Sequence, residues 1–335
     1  METYLSDIWL LIIGFFLLYY AVTDGFDLGV GILCLFSGKA RERQLMMHSL
    51  TNIWHTNQTW LLIVGGMLFG AFPMFYSVLF SALYIPAVLM LLGLIFRGIA
   101  FDFSEHSRST RFWNLNFGLG SLLATLAQGF ALGGLLSGIA VKDGRFAGGV
   151  WDWVTPLTLL VTLGVLVGYL MLGANYLIMK TEGDLQKRCF RQSFGFSAGT
   201  LILSVSVYFS INLLYPHAGH KWISPPELYT VIVAPLLSGL GFFMVFRSLY
   251  KRRERAPLIW NAVTVVLGFV GLSVSLYPQM IPHLVSPLTV EQAAASPSTL
   301  IFMLVVTGLL LPVILLYTTY TYRVFRGKVT EEGYG

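Results

Sequence analysis

The sequence contains a long apolar run near its start, IWLLIIGFFLLYYAVTDGFDLGVGILCLF, at residues 8–36. Crossing the hydrocarbon core of a bilayer takes about 20 mostly apolar helical residues, so this run is long enough to span a membrane. A cleaved signal peptide would have a shorter apolar core and a basic start, whereas the early charges here are Glu2 and Asp7. We therefore predict a retained membrane-spanning helix.

The composition of the 335 residues supports the same prediction. Hydrophobic residues make up 56% of the chain and charged residues 11%, and the mean hydropathy is +0.73. A soluble domain is on average about a quarter charged, so these figures exclude a soluble enzyme, a disordered chain and a coiled coil. The net charge of +5 does not indicate nucleic-acid binding, because the basic residues lie between apolar runs. Cys34 and Cys189 are too few and too far apart for a disulfide or zinc framework, and we expect both to be buried packing residues.

Nine stretches have the length and the continuous hydrophobicity of membrane-spanning helices, rather than the alternation of barrel strands. They cover residues 8–36, 53–72, 77–97, 113–140, 154–179, 193–215, 228–247, 258–281 and 299–322, and a tight turn at residues 71–74 separates the second from the third. No loop between them is long enough for a soluble domain, so we predict one polytopic all-α membrane domain over residues 1–335. Glycine pairs at i,i+4 spacing, such as Gly25/Gly29 and Gly195/Gly199, predict close helix packing.

All lysines and arginines except Lys142, Arg145 and Lys221 fall on one side of the predicted membrane. Cytoplasmic loops of membrane proteins carry an excess of basic residues. With nine spans, this distribution predicts an N-terminus outside and a C-terminus in the cytoplasm. An even number of spans would divide the basic loops between the two sides.

Asp24 and Asp27 are the only acidic residues well inside a predicted span. Their i,i+3 spacing puts both carboxyl groups on one face of the helix. A charge in the middle of a membrane costs at least about 2.5 kcal/mol, so the pair needs either partners or protons. One interpretation is a proton or cation path, in which the proximity of the two carboxyls favours the protonated form of at least one. The other is a structural, hydrogen-bonded knot between helices that Thr23 helps to cap.

A polar patch, NIWHTNQTW at residues 52–60, begins the second predicted span on the cytoplasmic side. His55 and Gln58 share one helix face, while Trp54 and Trp60 bracket the patch. The acidic pair lies in the cytoplasmic half of the preceding span, so the two clusters can meet at similar depth. His55 titrates near neutrality and could relay protons together with Asn57 and Gln58. Alternatively, it is an interface histidine beside a tryptophan belt.

A third polar cluster, FRGIAFDF at residues 96–103, ends the third predicted span on the same side. Arg97 could extend its side chain to the membrane surface, or it could point inward as the counter-charge of the aspartates. Asp102 could form a proton entrance open to water, or it could pair with a cation at the surface.

The positions of the six histidines predict that this chain holds no haem and no metal ion. Haem b ligation in a helix bundle needs His or Met inside the spans, usually as facing pairs. Only His55 approaches the interior of a span, and the other histidines fall in loops or at interfaces. His217 and His220 have a spacing that suits zinc, but two ligands on an outer loop favour a solvated loop instead.

Taken in order, the three clusters resemble subunit II of the cytochrome bd-type quinol oxidases. Residues 23–31, TDGFDLGVG, are similar to the first-helix signature of that family, and residues 54–60, WHTNQTW, are similar to its second-helix patch. Residues 96–103 are similar to the end of its third helix. The chain length, nine spans and an outside N-terminus also fit. The specific motifs cover the first third of the chain, and the rest agrees in span pattern alone.

The resemblance implies a non-catalytic subunit in a heterodimer with subunit I, which would carry two b-type haems, haem d and the quinol site. The complex would oxidise quinol at the outer face of the bacterial cytoplasmic membrane and reduce dioxygen to water with cytoplasmic protons. Both subunits would fold as two four-helix bundles plus a peripheral helix. Asp102 would lie near a proton entrance, the second-helix patch would continue the path, and Asp24 and Asp27 would border subunit I. The resemblance also admits bound lipid, a small single-helix accessory subunit and a structural quinone.

One position departs from the family pattern, because many relatives carry an acidic residue where this chain has His55. An imidazole can relay protons, so the path either survives with a different protonation balance or runs elsewhere. The change is compatible with a cyanide-insensitive-type member or another divergent branch.

Two other functions use the same residues. A proton- or cation-coupled secondary transporter would use the two carboxyls as its ion site, although inverted repeats and broken helices are not apparent in the sequence. A purely structural subunit would use Asp24 and Asp27 as assembly contacts.

Overall fold

The computed structural model of the chain describes residues 2–104, 110–214, 227–282, 288–330 and 333–334, and most of these are helical. The helices are α1 (Glu2–Leu35), α2 (Ala40–His48), α3 (Trp54–Ala71), α4 (Pro73–Ala82), α5 (Tyr84–Ser104), α6 (Thr110–Leu136), α7 (Pro156–Lys180), α8 (Gly183–Leu214), α9 (Glu227–Tyr250), α10 (Ala256–Leu276), α11 (Val290–Ala293) and α12 (Pro297–Val324). The all-α prediction is therefore confirmed for the described residues, apart from two short hairpins.

The first hairpin pairs β1 (Val141–Lys142) with β2 (Arg145–Phe146), and the second pairs β3 (Val329–Thr330) with β4 (Gly333–Tyr334). In the first, the two turn residues Asp143 and Gly144 have φ values of 52° and 72°. An Asp-Gly pair with positive φ at both positions suits the tight two-residue turns that join antiparallel strands. This hairpin connects α6 to α7 and packs on α4.

Eight helices of the described residues are long and apolar enough to cross a membrane. The pair α3 and α4 passes the same test together but bends by 120° between Ala71 and Pro73, and counting it as one span would give nine. The structure differs from the prediction at the third span, since residues 77–82 belong to α4 and α5 extends from Tyr84 past residue 97. Pro73 and Pro86 explain the division, because proline is tolerated in the first turn of a helix and disrupts its interior.

Helix α1 is the central element, since it packs against α3, α6 and α7. Its closest approach to α7 is at Gly29 and Gly173. A Cβ atom added at Gly29 would lie 1.8 Å from the carbonyl oxygen of Tyr169, and one added at Gly173 would lie 2.5 Å from backbone atoms of Gly29 and Val30. Only glycine allows the two backbones to approach this closely, and small residues at such crossings are typical of helices packed in lipid.

The remaining contacts divide the helices into neighbouring groups. Helix α5 packs on α6, α6 packs on α7, and α7 packs on α8 and α10, while α9 packs on α8 and α10. Helix α12 contacts α3 and α1. Cys34 and Cys189 are both buried and unoxidised within one apolar cluster, as expected from the sequence.

Ion pairs join helix ends and loops at one end of the bundle. Arg188 lies 2.6 Å from Glu42, and the hydroxyl of Ser37 donates to the same carboxylate at 2.9 Å. Burial opposes ionisation of Glu42, but the Ser37 hydrogen bond and Arg188 outweigh it and lower the pKa of this carboxyl. Glu254 accepts hydrogen bonds from Lys328 and Gln186, which lower its pKa as well.

The crossing at Gly29 yields a prediction about assembly. Gly29→Ala places a methyl group against backbone that has no room to move, so we expect a loss of about 1–3 kcal/mol of stability. Gly195→Ala is the matched control, because no atom lies within 4 Å of its added Cβ and alanine favours the helix. The measurement is the amount of intact complex that survives a heat step, followed by size-exclusion chromatography. Equal survival of the two variants would contradict the close α1–α7 crossing.

Candidate functional site

The two intramembrane aspartates of α1 lie at the centre of the candidate site. Asp24 and Asp27 both have 0% exposure, and their common helix face is directed at α3 and α5 rather than at lipid. Their location inside the bundle follows from the i,i+3 spacing, because both side chains leave the helix on the same side.

Asp24 forms an ion pair with Arg97 of α5. The Nη2 atom of Arg97 lies 2.5 Å from Oδ1 of Asp24, and both side chains are fully buried. Of the two orientations that the sequence allowed for Arg97, the structure has the inward one. The close contact of α5 with α6 at Gly93 and Gly120 lets this part of α5 lie deep in the bundle. Buried ion pairs of this kind depend on both partners, since one alone would be an uncompensated charge.

Asp27 is held by a different partner, the side-chain amide of Asn57 on α3. Nδ2 of Asn57 donates to Oδ2 of Asp27 at 2.9 Å and to the carbonyl oxygen of Thr23 at 3.4 Å. The hydroxyl of Tyr322 on α12 donates to Oδ1 of Asn57 at 2.6 Å. The amide is therefore fixed from both sides, and the cluster joins α1, α3, α5 and α12.

Several polar atoms of the cluster have no hydrogen-bond partner among the described residues. They are Oδ2 of Asp24, Oδ1 of Asp27, and Nε and Nη1 of Arg97. Buried polar groups are nearly always hydrogen-bonded, so unpaired atoms of this kind require an explanation. All four belong to the one guanidinium and the two carboxyls at the centre of the cluster.

A second chain of polar side chains begins one helical turn before Asp24. The hydroxyl of Tyr169 on α7 donates to Oε1 of Gln128 on α6 at 2.8 Å, and Nε2 of Gln128 donates to the hydroxyl of Tyr20 at 2.7 Å. Tyr20 in turn interacts electrostatically with Asp24. Sequence reasoning missed all three residues and Tyr322. A lone glutamine within the apolar fourth span was the one available signal, because a buried amide needs a partner on another helix.

The other predicted site residues lie around the cluster. Thr23 does not cap the aspartates, because its hydroxyl donates to Tyr19 of its own helix at 2.8 Å. Trp60 is fully buried and stacks on Phe16, with ring centroids 5.3 Å apart. Gln58 is half-buried, and no hydrogen bond joins it to the aspartates within the described part of the chain.

His55 and Asp102 are both exposed, and the aromatic residues that precede them, Trp54 and Phe101, stack on each other. The ring of Trp54 is 3.6 Å from that of His55 and 5.0 Å from that of Phe101, the residue before Asp102. The polar patch of residues 52–60 therefore lies at the same depth as the acidic pair, as the sequence predicted. The residue that contacts the pair is Asn57 and not His55. His55 is two residues before Asn57 and therefore lies on the opposite face of α3, so it is exposed where Asn57 faces the acidic pair.

The described residues contain no group of three or more His, Cys, Asp or Glu side chains that could hold a metal ion. His48 on α2 and His55 are the histidines within the described ranges, and neither lies inside the helix bundle. His106, His217, His220 and His283 lie outside the described residues, as does the predicted outer-loop pair at 217 and 220.

Comparison with known proteins gives the family. A family model described as cytochrome bd terminal oxidase subunit II matches residues 5–325. The chain belongs to this family. It is 30% identical to the cytochrome bd-I ubiquinol oxidase subunit 2 of Escherichia coli (strain K12), with 98% of this chain and 96% of the relative covered.

Two further comparisons agree. The chain is 25% identical to the cytochrome bd ubiquinol oxidase subunit 2 of Bacillus subtilis (strain 168), with 98% of each covered. It superposes on a chain of the bd oxidase from Geobacillus thermodenitrificans with a TM-score of 0.80 and 18% identity, covering 96% of this chain and 98% of the other. At that identity the superposition shows a common fold.

Family membership confirms the resemblance of the three sequence motifs. A cytochrome bd subunit II is part of a terminal quinol oxidase, which is an oxidoreductase complex, so the chain is an integral membrane protein with a partner subunit I. The family also implies haems in the complex. The transporter alternative is not favoured by any of these comparisons.

The Asp24–Arg97 pair yields a prediction about folding. Asp24→Asn or Arg97→Gln alone leaves one buried charge without its partner, which we expect to destabilise the complex by about 3–5 kcal/mol. The double variant removes both charges, so most of that loss should be recovered. The measurement is the midpoint of heat inactivation of the purified complex. Additive losses in the double variant would show that the two side chains do not depend on each other.

Proposed function

We propose that this chain is the subunit II that scaffolds a haem-bearing subunit I and passes cytoplasmic protons toward the oxygen-reducing centre of the complex. The observation that carries the proposal is the carboxyl of Asp27, fully buried beside an ion pair that is already complete and held by the Asn57 amide. A titratable group inside a membrane is expensive to bury and is a functional candidate for that reason.

The charges of the cluster favour a proton on Asp27. Asp24 and Arg97 neutralise each other when both are ionised. A second ionised carboxylate beside them would be an uncompensated buried charge, which a low-dielectric interior disfavours strongly. Oδ2 of Asp27 accepts from Asn57, so the proton would be held on Oδ1.

The same surroundings allow Asp27 to give up that proton. Arg97 interacts electrostatically with both aspartates, so it lowers the cost of a transient second carboxylate. The chain from Tyr322 to Asn57 keeps the carboxyl in one orientation in both protonation states. Asp27 can therefore take a proton from the cytoplasmic side and release it toward subunit I.

The proposed entrance lies at the rim formed by His55, Trp54, Phe101 and Asp102. His55 on α3 and Asp102 on α5 are exposed, and the rings of the residues that precede them, Trp54 and Phe101, are stacked. Asn57 and Gln58 follow His55 on α3 and lead from this rim to Asp27. An imidazole can both accept and donate a proton, so His55 can act at the rim where many relatives carry an acidic residue.

The proposed membrane arrangement has nine spans, with α3 and α4 counted together. The helix contacts support one bundle of α1, α3, α5 and α6, a second of α7 to α10, and α12 as the peripheral helix. The basic loops favour an outside N-terminus and a cytoplasmic C-terminus in the bacterial cytoplasmic membrane.

The haems and the quinol site are proposed to reside in subunit I. Neither of the described histidines, His48 and His55, lies inside the bundle, where a histidine ligand of a haem would have to be, and this supports the assignment of the haems to the partner. Haem chemistry in the partner would reduce dioxygen, while this chain would supply protons and a rigid surface.

Asp27→Asn tests the proton path directly. Asparagine keeps the size of the side chain and can still accept from Asn57, so the complex should assemble with its full haem content. It cannot exchange a proton, and we expect oxygen consumption to fall by about 10²-fold or more. The measurement is quinol-driven oxygen uptake per haem. Asp184→Asn is the control, since that carboxylate is exposed on the first turn of α8 and its loss should not change oxygen uptake. A wild-type rate in assembled Asp27→Asn complex would leave the chain with a structural role only.

The rim yields a separate prediction about pH. Removing both titratable groups, in His55→Gln/Asp102→Asn, should slow oxygen uptake by roughly tenfold at alkaline pH, where protons are scarce, and by less at acidic pH. The measurement is the pH profile of the rate, with His48→Gln as the control on the neighbouring helix. An unchanged pH profile would show that protons enter elsewhere, and it would not bear on the proposed role of Asp27.

A further inference from the structure

A groove at the start of α8 and the end of α9 lies apart from the buried cluster. Lys187 and Arg191 of α8 line one side, and Arg252, just after α9, lines the other. The groove has a volume of about 580 Å³. Pockets that bind small molecules commonly have volumes of about 300–1,000 Å³, so a polar headgroup would fit.

The two arginines of the groove, Arg191 and Arg252, have no carboxylate partner within ion-pair distance among the described residues. Lys187 lies 3.5 Å from Asp184, but both side chains are at least 75% exposed and such pairs contribute little. The groove therefore presents positive charge that the carboxylates of the described residues do not neutralise.

The position of Arg252 is set by its backbone and by a ring. Its φ of 52° lies in the left-handed region, which is uncommon for residues other than glycine. The guanidinium carbon lies 5.0 Å from the ring centroid of Phe190, which is 7% exposed and therefore well fixed. This φ belongs to the left-handed cap that ends α9, in which the N–H of Arg252 donates to the carbonyl oxygen of Leu249 and that of Arg253 to the carbonyl oxygen of Ser248.

The rest of the groove wall is apolar and faces outward. Phe194 is 53% exposed and Tyr250 is 87% exposed. Only 6% of the most apolar part of α8 is buried inside the chain, so this helix needs an apolar environment supplied from outside. Aromatic side chains beside basic ones are typical of the membrane–water interface.

We propose that this groove binds the phosphate of an anionic phospholipid of the cytoplasmic leaflet. Arg191, Arg252 and Lys187 would bind the phosphate, and the acyl chains would run along Phe194 and the exposed face of α8. Basic pockets between helices on the cytoplasmic side commonly bind anionic headgroups. The proposal rests on the proposed membrane orientation but not on the proton path.

The test uses the purified complex, stripped of lipid in detergent and titrated with phosphatidylglycerol, with bound lipid counted by native mass spectrometry. We expect one tightly bound phosphatidylglycerol and much weaker binding of zwitterionic phosphatidylcholine. Arg191→Gln/Arg252→Gln should weaken the affinity by about 25-fold, at roughly fivefold for each charge removed. Lys251→Gln/Arg253→Gln is the matched control, because these exposed cations of the same turn do not line the groove, and it should bind as the wild type does.

Four results would overturn the proposal. Unchanged phosphatidylglycerol binding in Arg191→Gln/Arg252→Gln would place the lipid elsewhere, and equal binding of the zwitterionic lipid would remove the role of charge. Displacement by inorganic phosphate at equal concentration would indicate a site for free anions. Covalent capture of subunit I by a photo-activated cross-linking group placed at position 194 would show that protein covers the groove. Each readout is independent of oxygen uptake, so failure here differs from failure of the proton path.

Discussion

Nη2 of Arg97 lies 2.5 Å from Oδ1 of Asp24, and neither side chain is exposed. An ion pair buried at this depth constrains the positions of the helices that carry it. Either charge alone would be uncompensated, so α1 and α5 must be brought together at this depth and in this register. The glycine contacts between α1 and α7 and between α5 and α6 make room for that arrangement. The packing of these four helices is therefore arranged around the buried ion pair of Asp24 and Arg97.

Because Asp24 and Arg97 already pair with each other, the proposed function assigns the change of protonation to Asp27. Its carboxyl accepts a hydrogen bond from Asn57, whose amide oxygen accepts one from Tyr322 on α12. Elements that are remote in sequence therefore orient one carboxyl. Under the proposed function, this chain contributes to oxygen reduction by supplying protons, which needs a positioned acid and a neighbouring cation rather than a redox group.

The sequence predicted the all-α membrane fold, the family, and that the aspartates of the first span need partners or protons, because charges inside apolar runs are rare and easily recognised. It did not predict that Asn57 and not His55 faces the acidic pair. The two belong to one polar patch but lie on opposite faces of α3, and the sequence alone does not show which face is turned toward α1. Tyr20, Gln128, Tyr169 and Tyr322 were also missed, because uncharged polar residues in spans acquire meaning only when their partners on other helices are known. The third predicted span also began too early in the sequence, because the chain bends near Pro73 and the length of an apolar run does not show where a helix changes direction.

The central claim is that Asp27 is a protonated carboxyl that loses and regains its proton during turnover. Infrared difference spectroscopy of the complex, between its oxidised and reduced states, detects such a group through its carbonyl stretch. The account predicts a protonated-carboxyl band that shifts in heavy water, is absent from Asp27→Asn and persists in Asp102→Asn. The same band at full intensity in Asp27→Asn would contradict it.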